Sequence, residues 1–293
     1  MRLRSLLFVP GDNETKLADP ARHGADALIL DLEDAVAPAR KAAARRRVHD
    51  FLAQDGRGGG LPVYVRINAM QSGEAVADLA AVMPGRPEGI VLPKCEPQQL
   101  RALDAHLLRF EMQHGAMAGG ARVIALATET PTGVFEVGQY GGVSERLQAL
   151  SWGSEDLAAA LGAVSRGADG YEEIFRMAIG LCALGAAAAG VDAIDGACME
   201  YRDLAVVERE CRIARRNGFV GKLAIHPAQV PVINAAFTPS EAELAWARRV
   251  VDAFRDQPEL GVIGIDGKVI DRPHLRLAER LLSTSANRPP AAG

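Results

Sequence analysis

The chain has 293 residues, of which 48% are hydrophobic and 24% are charged. A chain of this length and composition buries a substantial core, as one large barrel or as two modest domains, and disorder is therefore not the default. The formal net charge of -4 gives no global electrostatic reason to expect a nucleic acid or an anionic membrane surface as partner. We therefore expect neither.

The first apolar run follows two arginines at the N-terminus. It is about six residues long, too short for a signal-peptide core or a membrane span, so it is predicted to be a strand. The cysteines lack CxxC spacing and lie near no histidine cluster, and they indicate reduced thiols in a cytoplasmic protein. They are Cys95, Cys182, Cys198 and Cys211.

Short runs rich in Val, Ile and Leu alternate along the chain with longer Ala-, Leu- and Arg-rich stretches that have helical spacing. This alternation is typical of βα units. Eight such units within about 230 residues predict an α/β protein with a (β/α)8 TIM barrel. A doubly wound open sheet has a similar strand count and is the alternative. The predicted strands are Ser5–Val9, Ala27–Leu32, Val63–Ile67, Gly89–Pro93, Val123–Ala127, Leu147–Trp152, Val191–Ile194 and Leu223–Ile225.

Helices are predicted between these strands, and several end near glycines, as helix C-termini do. They include Lys41–Leu52, Gln98–Gln113, Tyr171–Ala189 and Leu204–Asn217.

The pattern changes after the eighth strand. A helical stretch runs from Pro239 to Phe254, a hairpin is predicted over Gly261–Ile270 with Asp266 and Gly267 as a type I′ turn pair, and a last helix follows over Pro273–Leu282. Closing a barrel does not need this extension. We therefore predict a catalytic barrel over residues 1–235 and, over residues 236–293, a helical and hairpin extension that is a lid or an arm contacting a neighbouring subunit.

Functional groups of a parallel barrel lie at the carboxyl ends of its strands. Glu129 and Asp156 follow neighbouring predicted strands, so their carboxylates are expected side by side. Such a pair suits magnesium, which takes one or two protein oxygens and leaves its other positions to water and substrate. Acids at strand-to-helix junctions also cap helices, and spacing alone favours neither interpretation.

Two basic residues follow the third and fourth predicted strands. Arg66 would bind a carboxylate bidentately and stabilise an enolate, or form a salt bridge to Glu33 or Asp34, and these interpretations are compatible. Lys94 would hold a phosphate or carboxylate, which we favour over a Schiff-base role. The cluster from Asp31 to Asp34 is interpreted as a charge network rather than as metal ligands.

Several motifs closely resemble those of the citrate lyase beta-subunit and malyl-CoA lyase family. They occur in the family's order over nearly the whole chain, and the ordered set is specific although each motif alone is weak. They are Arg4–Gly11 (RSLLFVPG), Asp31–Val36 (DLEDAV), Val65–Asn68 (VRIN), Leu92–Lys94 (LPK), Glu129–Pro131 (ETP) and Ile225–Gln229 (IHPAQ).

This resemblance implies a trimeric TIM barrel in which Glu129 and Asp156 bind Mg2+ and Arg66 contacts substrate. It also matches Asp271, within the segment Gly267–Pro273, to an acid/base that reaches the active site of an adjacent subunit. Three further positions are candidates for holding the phosphates or the thioester arm of the acyl carrier: Arg4, Lys94 and the loop of His226.

The function implied is that of a magnesium-dependent carbon–carbon lyase of the oxo-acid-lyase type. It would cleave a 3-hydroxyacyl thioester such as citryl-, malyl- or citramalyl-CoA to acetyl-CoA and a 2-oxo acid, or run the reverse condensation. Coenzyme A, or an acyl-carrier protein in its place, would be part of the substrate. The alternatives are a metal-dependent class II aldolase acting on a free hydroxy-oxo-acid and a non-catalytic acyl-CoA-binding subunit.

Overall fold

The computed structural model describes residues 3–54, 57–168 and 170–286. The chain divides into two compact units, Leu3–Asn234 and the segment that starts at Ala235. Among the described residues, no helix is both long and apolar enough to cross a bilayer.

The strands follow in chain order, with two short ones inserted before the seventh barrel strand. They are β1 (Ser5–Pro10), β2 (Ala27–Asp31), β3 (Val63–Arg66), β4 (Gly89–Leu92), β5 (Arg122–Leu126), β6 (Leu147–Ser151), β7 (Arg166–Gly167), β8 (Gly170–Tyr171), β9 (Asp192–Asp195), β10 (Gly221–Ala224), β11 (Val262–Ile265) and β12 (Lys268–Asp271).

Eight of these strands form a closed parallel barrel in the order β1-β10-β9-β6-β5-β4-β3-β2. Each contributes at least one buried apolar side chain to a single cluster that fills the interior, as in a packed TIM barrel. The cluster includes Leu6, Ile29, Tyr64, Val91, Ile124, Ala149, Ile194 and Leu223. The predicted (β/α)8 fold is confirmed, and the open sheet is excluded.

Helices alternate with the barrel strands, and the last of them follows the eighth barrel strand. They are α1 (Glu14–Ala18), α2 (Lys41–Leu52), α3 (Ala75–Val82), α4 (Pro97–Gln113), α5 (Pro131–Glu136), α6 (Ser154–Leu161), α7 (Glu173–Ala189), α8 (Leu204–Arg216) and α9 (Gln229–Ala236). The predicted helix from Tyr171 begins two residues later, because Gly170 and Tyr171 pair with Gly167 and Arg166 in the short antiparallel β7–β8 ribbon.

The second unit contains α10 (Glu241–Asp256), the β11–β12 hairpin and α11 (Arg272–Ala286), which share their own apolar cluster. The hairpin turn has the predicted chemistry: Asp266 and Gly267 both have positive φ, at 50° and 73°, between the paired residues Ile265 and Lys268. The predicted hairpin-helix extension is therefore present.

Two glycines of α7 give a matched test of packing between α7 and the segment that follows α5. A Cβ added at Gly185 would lie 2.4 Å from the carbonyl oxygen of Val137. Among the described residues, and apart from its chain neighbours and the adjacent helix backbone, one added at Gly180 meets no atom within 4 Å. Gly185→Ala is expected to lower the free energy of unfolding by about 1–3 kcal/mol. Gly180→Ala should raise it by up to about 1 kcal/mol through helix propensity. Denaturant unfolding of both variants checks this, and equal effects would contradict the close approach.

Candidate active site

A cavity of about 340 Å³ opens at the carboxyl ends of the barrel strands. Arg66, Glu129 and Asp156 line it together, with apolar walls from Phe8, Trp152, Ala197, Met199, Leu223 and Ile225. A larger cavity, of about 520 Å³, lies at the amino ends of β3 to β5, and none of the predicted site residues lines it. The candidate chemistry therefore belongs to the smaller cavity.

Arg66 is fixed in the mouth by a bidentate pair with Asp31, its neighbour across the β2–β3 ladder. Its Nε and Nη2 donate to the two oxygens of Asp31 at 2.7 and 2.6 Å, and its guanidinium carbon lies 4.7 Å from the centre of the Phe8 ring. Burial alone would lower the pKa of Arg66, but the hydrogen bonds and charge of Asp31 outweigh it and raise that pKa. Arg66 is therefore a fixed cation.

The predicted salt bridge from Arg66 to the acidic cluster exists, but it reaches Glu33 and not Asp34. Nη1 of Arg66 lies 3.0 Å from Oε2 of Glu33, and this buried oxygen has no hydrogen-bond partner among the described residues. Burial raises the pKa of Glu33 although Arg66 and Lys94 act against it. An acceptor of this kind is available to a further cation.

Glu129 is buried and does not cap a helix, because the N-cap of α5 is the next residue, Thr130. Its Oε2 accepts a hydrogen bond from the backbone N–H of Lys94 at 2.8 Å. Its Oε1 packs on Gly153, where an added Cβ would lie 2.5 Å away. Burial, then the charges of Glu33 and Asp156, raise the pKa of Glu129 to about 8.

Lys94 places its ammonium among these acids. Its Nζ lies 2.7 Å from Glu33, 2.9 Å from Asp156 and 3.8 Å from Asp34, and its backbone is left-handed, with φ at 48°. A non-glycine residue in this region costs about 1–2 kcal/mol, which marks Lys94 as a constrained position. Burial alone would lower the pKa of Lys94, but hydrogen bonds to Asp156 and Glu33 raise it, which favours the cationic role over a Schiff base.

Carboxylate oxygens from Glu33, Asp34 and Asp156 lie within 4.8 Å of one another. The negative charges of Glu33 and Asp156 also repel the ionised form of Glu129. Such clustered carboxylate oxygens suit a small divalent cation. Asp31, Glu33 and Asp34 form the predicted charge network with Arg66 and Lys94. Glu33 and Asp34 also lie beside Asp156.

The remaining predicted residues lie elsewhere. Arg4 precedes β1, at the amino end of the barrel, where its side chain forms a bidentate pair with Asp26. His226 follows β10 and stacks on Tyr201, with ring centres 4.9 Å apart. Asp271 ends β12 in the second unit, and its carboxylate contacts His274.

The match to known proteins covers most of the chain. The model of the family described as HpcH/HpaI aldolase/citrate lyase matches residues 4–227. This chain belongs to that family. The family resemblance predicted from the motifs is thereby confirmed, and the match includes Arg66, Glu129 and Asp156 but ends before Asp271.

Relatives with named activities match nearly end to end. Citrate lyase subunit beta of Escherichia coli strain K12 is 34% identical over 96% of this chain and 92% of that protein. The (3S)-malyl-CoA thioesterase of Cereibacter sphaeroides strain KD131 is 33% identical over 96% and 93%. Protein CitE from Mycobacterium tuberculosis, solved in complex with magnesium, acetoacetate and coenzyme A, is 34% identical with a TM-score of 0.79, over 97% of this chain and 98% of that one.

The raised pKa of Glu129 predicts a pH-dependent stability in protein freed of metal by a chelator. The folded state holds a proton on Glu129 up to about pH 8, whereas the unfolded chain releases it near 4.5, so the parent loses stability as pH rises between these values. Glu129→Gln removes this loss. The free energy of unfolding of Glu129→Gln should therefore rise relative to that of the parent as pH increases between these values. The rise is at most about 1.4 kcal/mol for each unit by which the pKa is shifted.

Denaturant unfolding at a series of pH values measures this difference. A flat difference for Glu129→Gln would mean that Glu129 is ionised in the folded protein at neutral pH.

Proposed function

We propose that this chain is a magnesium-dependent carbon–carbon lyase that cleaves a 3-hydroxyacyl-CoA thioester to acetyl-CoA and a 2-oxo acid. The convergence of Arg66, Glu129 and Asp156 in one cavity carries the proposal. Two similar solved structures from M. tuberculosis support it. One is a complex with magnesium, acetoacetate and coenzyme A, and the other is a complex with oxaloacetate and magnesium.

Glu129 and Asp156 are the proposed magnesium ligands, with Glu33 and Asp34 beside them. Magnesium bound there would supply a Lewis acid for the hydroxyl oxygen that becomes the ketone of the 2-oxo acid. The buried position of Glu129 keeps competing water away from one side of the site. Lys94, already an ammonium in the acidic cluster, is assigned to the carboxylate of the substrate.

Arg66 is proposed to stabilise the enolate that cleavage leaves on the acyl thioester. A donor helps most when it is oriented before charge develops, because it then needs no reorganisation during the reaction. Asp31 and Phe8 supply that orientation, through the bidentate pair and the ring contact. Replacing Asp31 would therefore act on Arg66 and not on substrate directly.

Asp271 is the proposed acid/base for the α-carbon of the thioester, and it would act in the cavity of a neighbouring subunit of a homotrimer. Its hydrogen bond with His274 lowers the pKa of Asp271, which keeps the carboxylate ionised as a base requires. Subunit association is supported by exposed apolar side chains on α5 and α7, among them Phe135, Met177 and Leu184.

His226 is the proposed contact for the coenzyme A portion. Its ring forms a stacked pair with Tyr201, and the guanidinium of Arg202 lies 5.3 Å from the Tyr201 ring centre. A flat aromatic surface beside a cation suits an adenine base with its phosphates.

A thioesterase acting on a malyl thioester is the second candidate, because one relative carries that name. The two activities differ in their products. A lyase releases glyoxylate and acetyl-CoA from malyl-CoA, whereas a thioesterase releases malate and free coenzyme A.

The deciding experiment is an assay of purified protein with malyl-, citramalyl- and citryl-CoA and with a free hydroxy-oxo-acid, each with magnesium and with excess chelator. We expect a 2-oxo acid and acetyl-CoA from at least one thioester, only in the presence of magnesium. Free coenzyme A with an intact hydroxy acid would support the thioesterase. Cleavage of a free hydroxy-oxo-acid alone would favour a class II aldolase, and no turnover of any compound would favour a binding subunit.

Asp271→Asn tests the acid/base role. Because Asn cannot take up the proton, exchange of the acetyl-CoA α-protons with deuterated water should slow at least about a hundredfold. Magnesium binding should be unchanged. Parent-like exchange, followed by NMR, would remove Asp271 from the mechanism.

Mixed oligomers then test whether the arm acts across subunits. Co-refolded Asp271→Asn and Asp156→Asn chains should regain activity, because an intact cavity of one chain meets an intact arm of the other. The matched control mixes Glu129→Gln with Asp156→Asn, where every cavity has a defect and no gain is expected. No regain in the first mixture would argue against an arm shared between subunits.

A further inference from the structure

A buried charged network lies behind one wall of the cavity and has no part in the mechanism above. Its centre is Lys222 on β10, whose side chain is 1% exposed. The Nζ atom lies 2.6 Å from Oδ2 of Asp195 and 3.3 Å from Oε2 of Glu210, and Glu210 is also paired with Arg166. The charges of Asp195 and Glu210 raise the pKa of Lys222 although burial acts against it, so this ammonium is a permanent charge.

The network ends on Trp152, which lines the cavity. Oδ1 of Asp195 accepts a hydrogen bond from the indole N–H of Trp152 at 2.7 Å, while its other oxygen is held by Lys222. The same Oδ1 accepts the backbone N–H of Gly196 at 3.0 Å. Asp195 thus fixes the direction in which the indole N–H points.

Two further contacts leave the indole little freedom. The Tyr171 ring meets it edge to face, with centres 5.0 Å apart, and the guanidinium of Arg166 covers Tyr171 at 4.4 Å. A Cβ added at Gly196 would lie 2.9 Å from Cε2 of Trp152. The indole therefore contacts both the β7–β8 ribbon and the residue that follows β9.

Stability alone does not account for this arrangement. Replacing a buried ion pair with apolar side chains of similar volume is often neutral or stabilising, because both charges must be removed from water. A carboxylate held by a buried lysine does provide one directional acceptor for the indole. This acceptor orients the indole of Trp152, and the orientation determines which surface of the ring lines the cavity.

We propose that the Asp195–Lys222 pair is a positioning device that orients Trp152, and that the oriented indole contacts the oxo-acid portion of the ligand and sets its affinity. This rests on the proposed function for the nature of the ligand. Asp195 and Lys222 act through Trp152, whereas Trp152 itself contacts the ligand.

The chain contains two tryptophans, Trp152 and Trp246. In a Trp246→Phe background all indole emission therefore comes from Trp152, and its maximum reports the surroundings of that ring. Two double variants, each of which removes one negative and one positive charge, separate the effect of indole orientation from the effect of the buried charges. Asp195→Asn with Lys222→Met keeps a carbonyl acceptor for the indole, whereas Asp195→Leu with Lys222→Met removes it at similar volume.

The probe is oxaloacetate with magnesium, titrated against Trp152 emission. The Asn/Met variant should keep the emission maximum and the Kd of the parent. The Leu/Met variant should show a shifted maximum and a Kd raised about tenfold, equivalent to about 1.4 kcal/mol or one hydrogen bond. In the assay of thioester cleavage, its KM should rise by a similar factor with little change in kcat.

Trp152→Phe gives the second measurement. Phe has no N–H to orient, so adding the Leu/Met pair to Trp152→Phe should leave KM unchanged. Equal emission and equal Kd for the Asn/Met and Leu/Met variants would overturn the inference and leave the network a structural role only. Failure of the proposed function is seen separately, as an absence of thioester cleavage by the parent, since oxaloacetate binding does not require cleavage.

Discussion

The balance of charge at the mouth of the barrel is the constraint on which the site depends. Five carboxyl groups meet two cations there, Arg66 and Lys94. The acids are Asp31, Glu33, Asp34, Glu129 and Asp156. Burying an ionised carboxylate is unfavourable unless the group is paired. Burial accordingly raises the pKa values of Glu33 and Glu129. Three more carboxyl groups than cations meet here, so the arrangement favours a further cation beyond Arg66 and Lys94.

The barrel geometry explains how much of this the sequence predicted. Runs such as Ala27–Asp31 are buried throughout, so their apolar pattern was visible, and the barrel strands were located to within two residues at either end. Because parallel strands bring their carboxyl ends to one face, residues distant in sequence, such as Arg66, Glu129 and Asp156, were expected together, and they line one cavity.

Other features depend on register and could not be derived from a pattern. The pairing of Arg66 with Asp31 follows from the alignment of β2 with β3. The contact of Trp152 with Asp195 joins the residue after β6 to the last residue of β9. The β7–β8 ribbon consists of two-residue strands, which leave no periodicity to detect. For Arg4, a motif was present but did not predict the surroundings of the side chain. The motif resembles that of the family, whereas the Arg4 side chain pairs with Asp26 at the amino end of the barrel.

The account rests most directly on a divalent ion held by Glu129 and Asp156. Titration with manganese, which replaces magnesium in oxygen-ligand sites and is visible by electron paramagnetic resonance, measures that ion without requiring turnover. We expect one bound ion per chain in the parent, an affinity at least about tenfold weaker in Glu129→Ala and in Asp156→Ala, and an unchanged affinity in Glu155→Ala, whose residue lies next to Asp156 in the same helical turn. Parent-like manganese binding by both Glu129→Ala and Asp156→Ala would contradict the account.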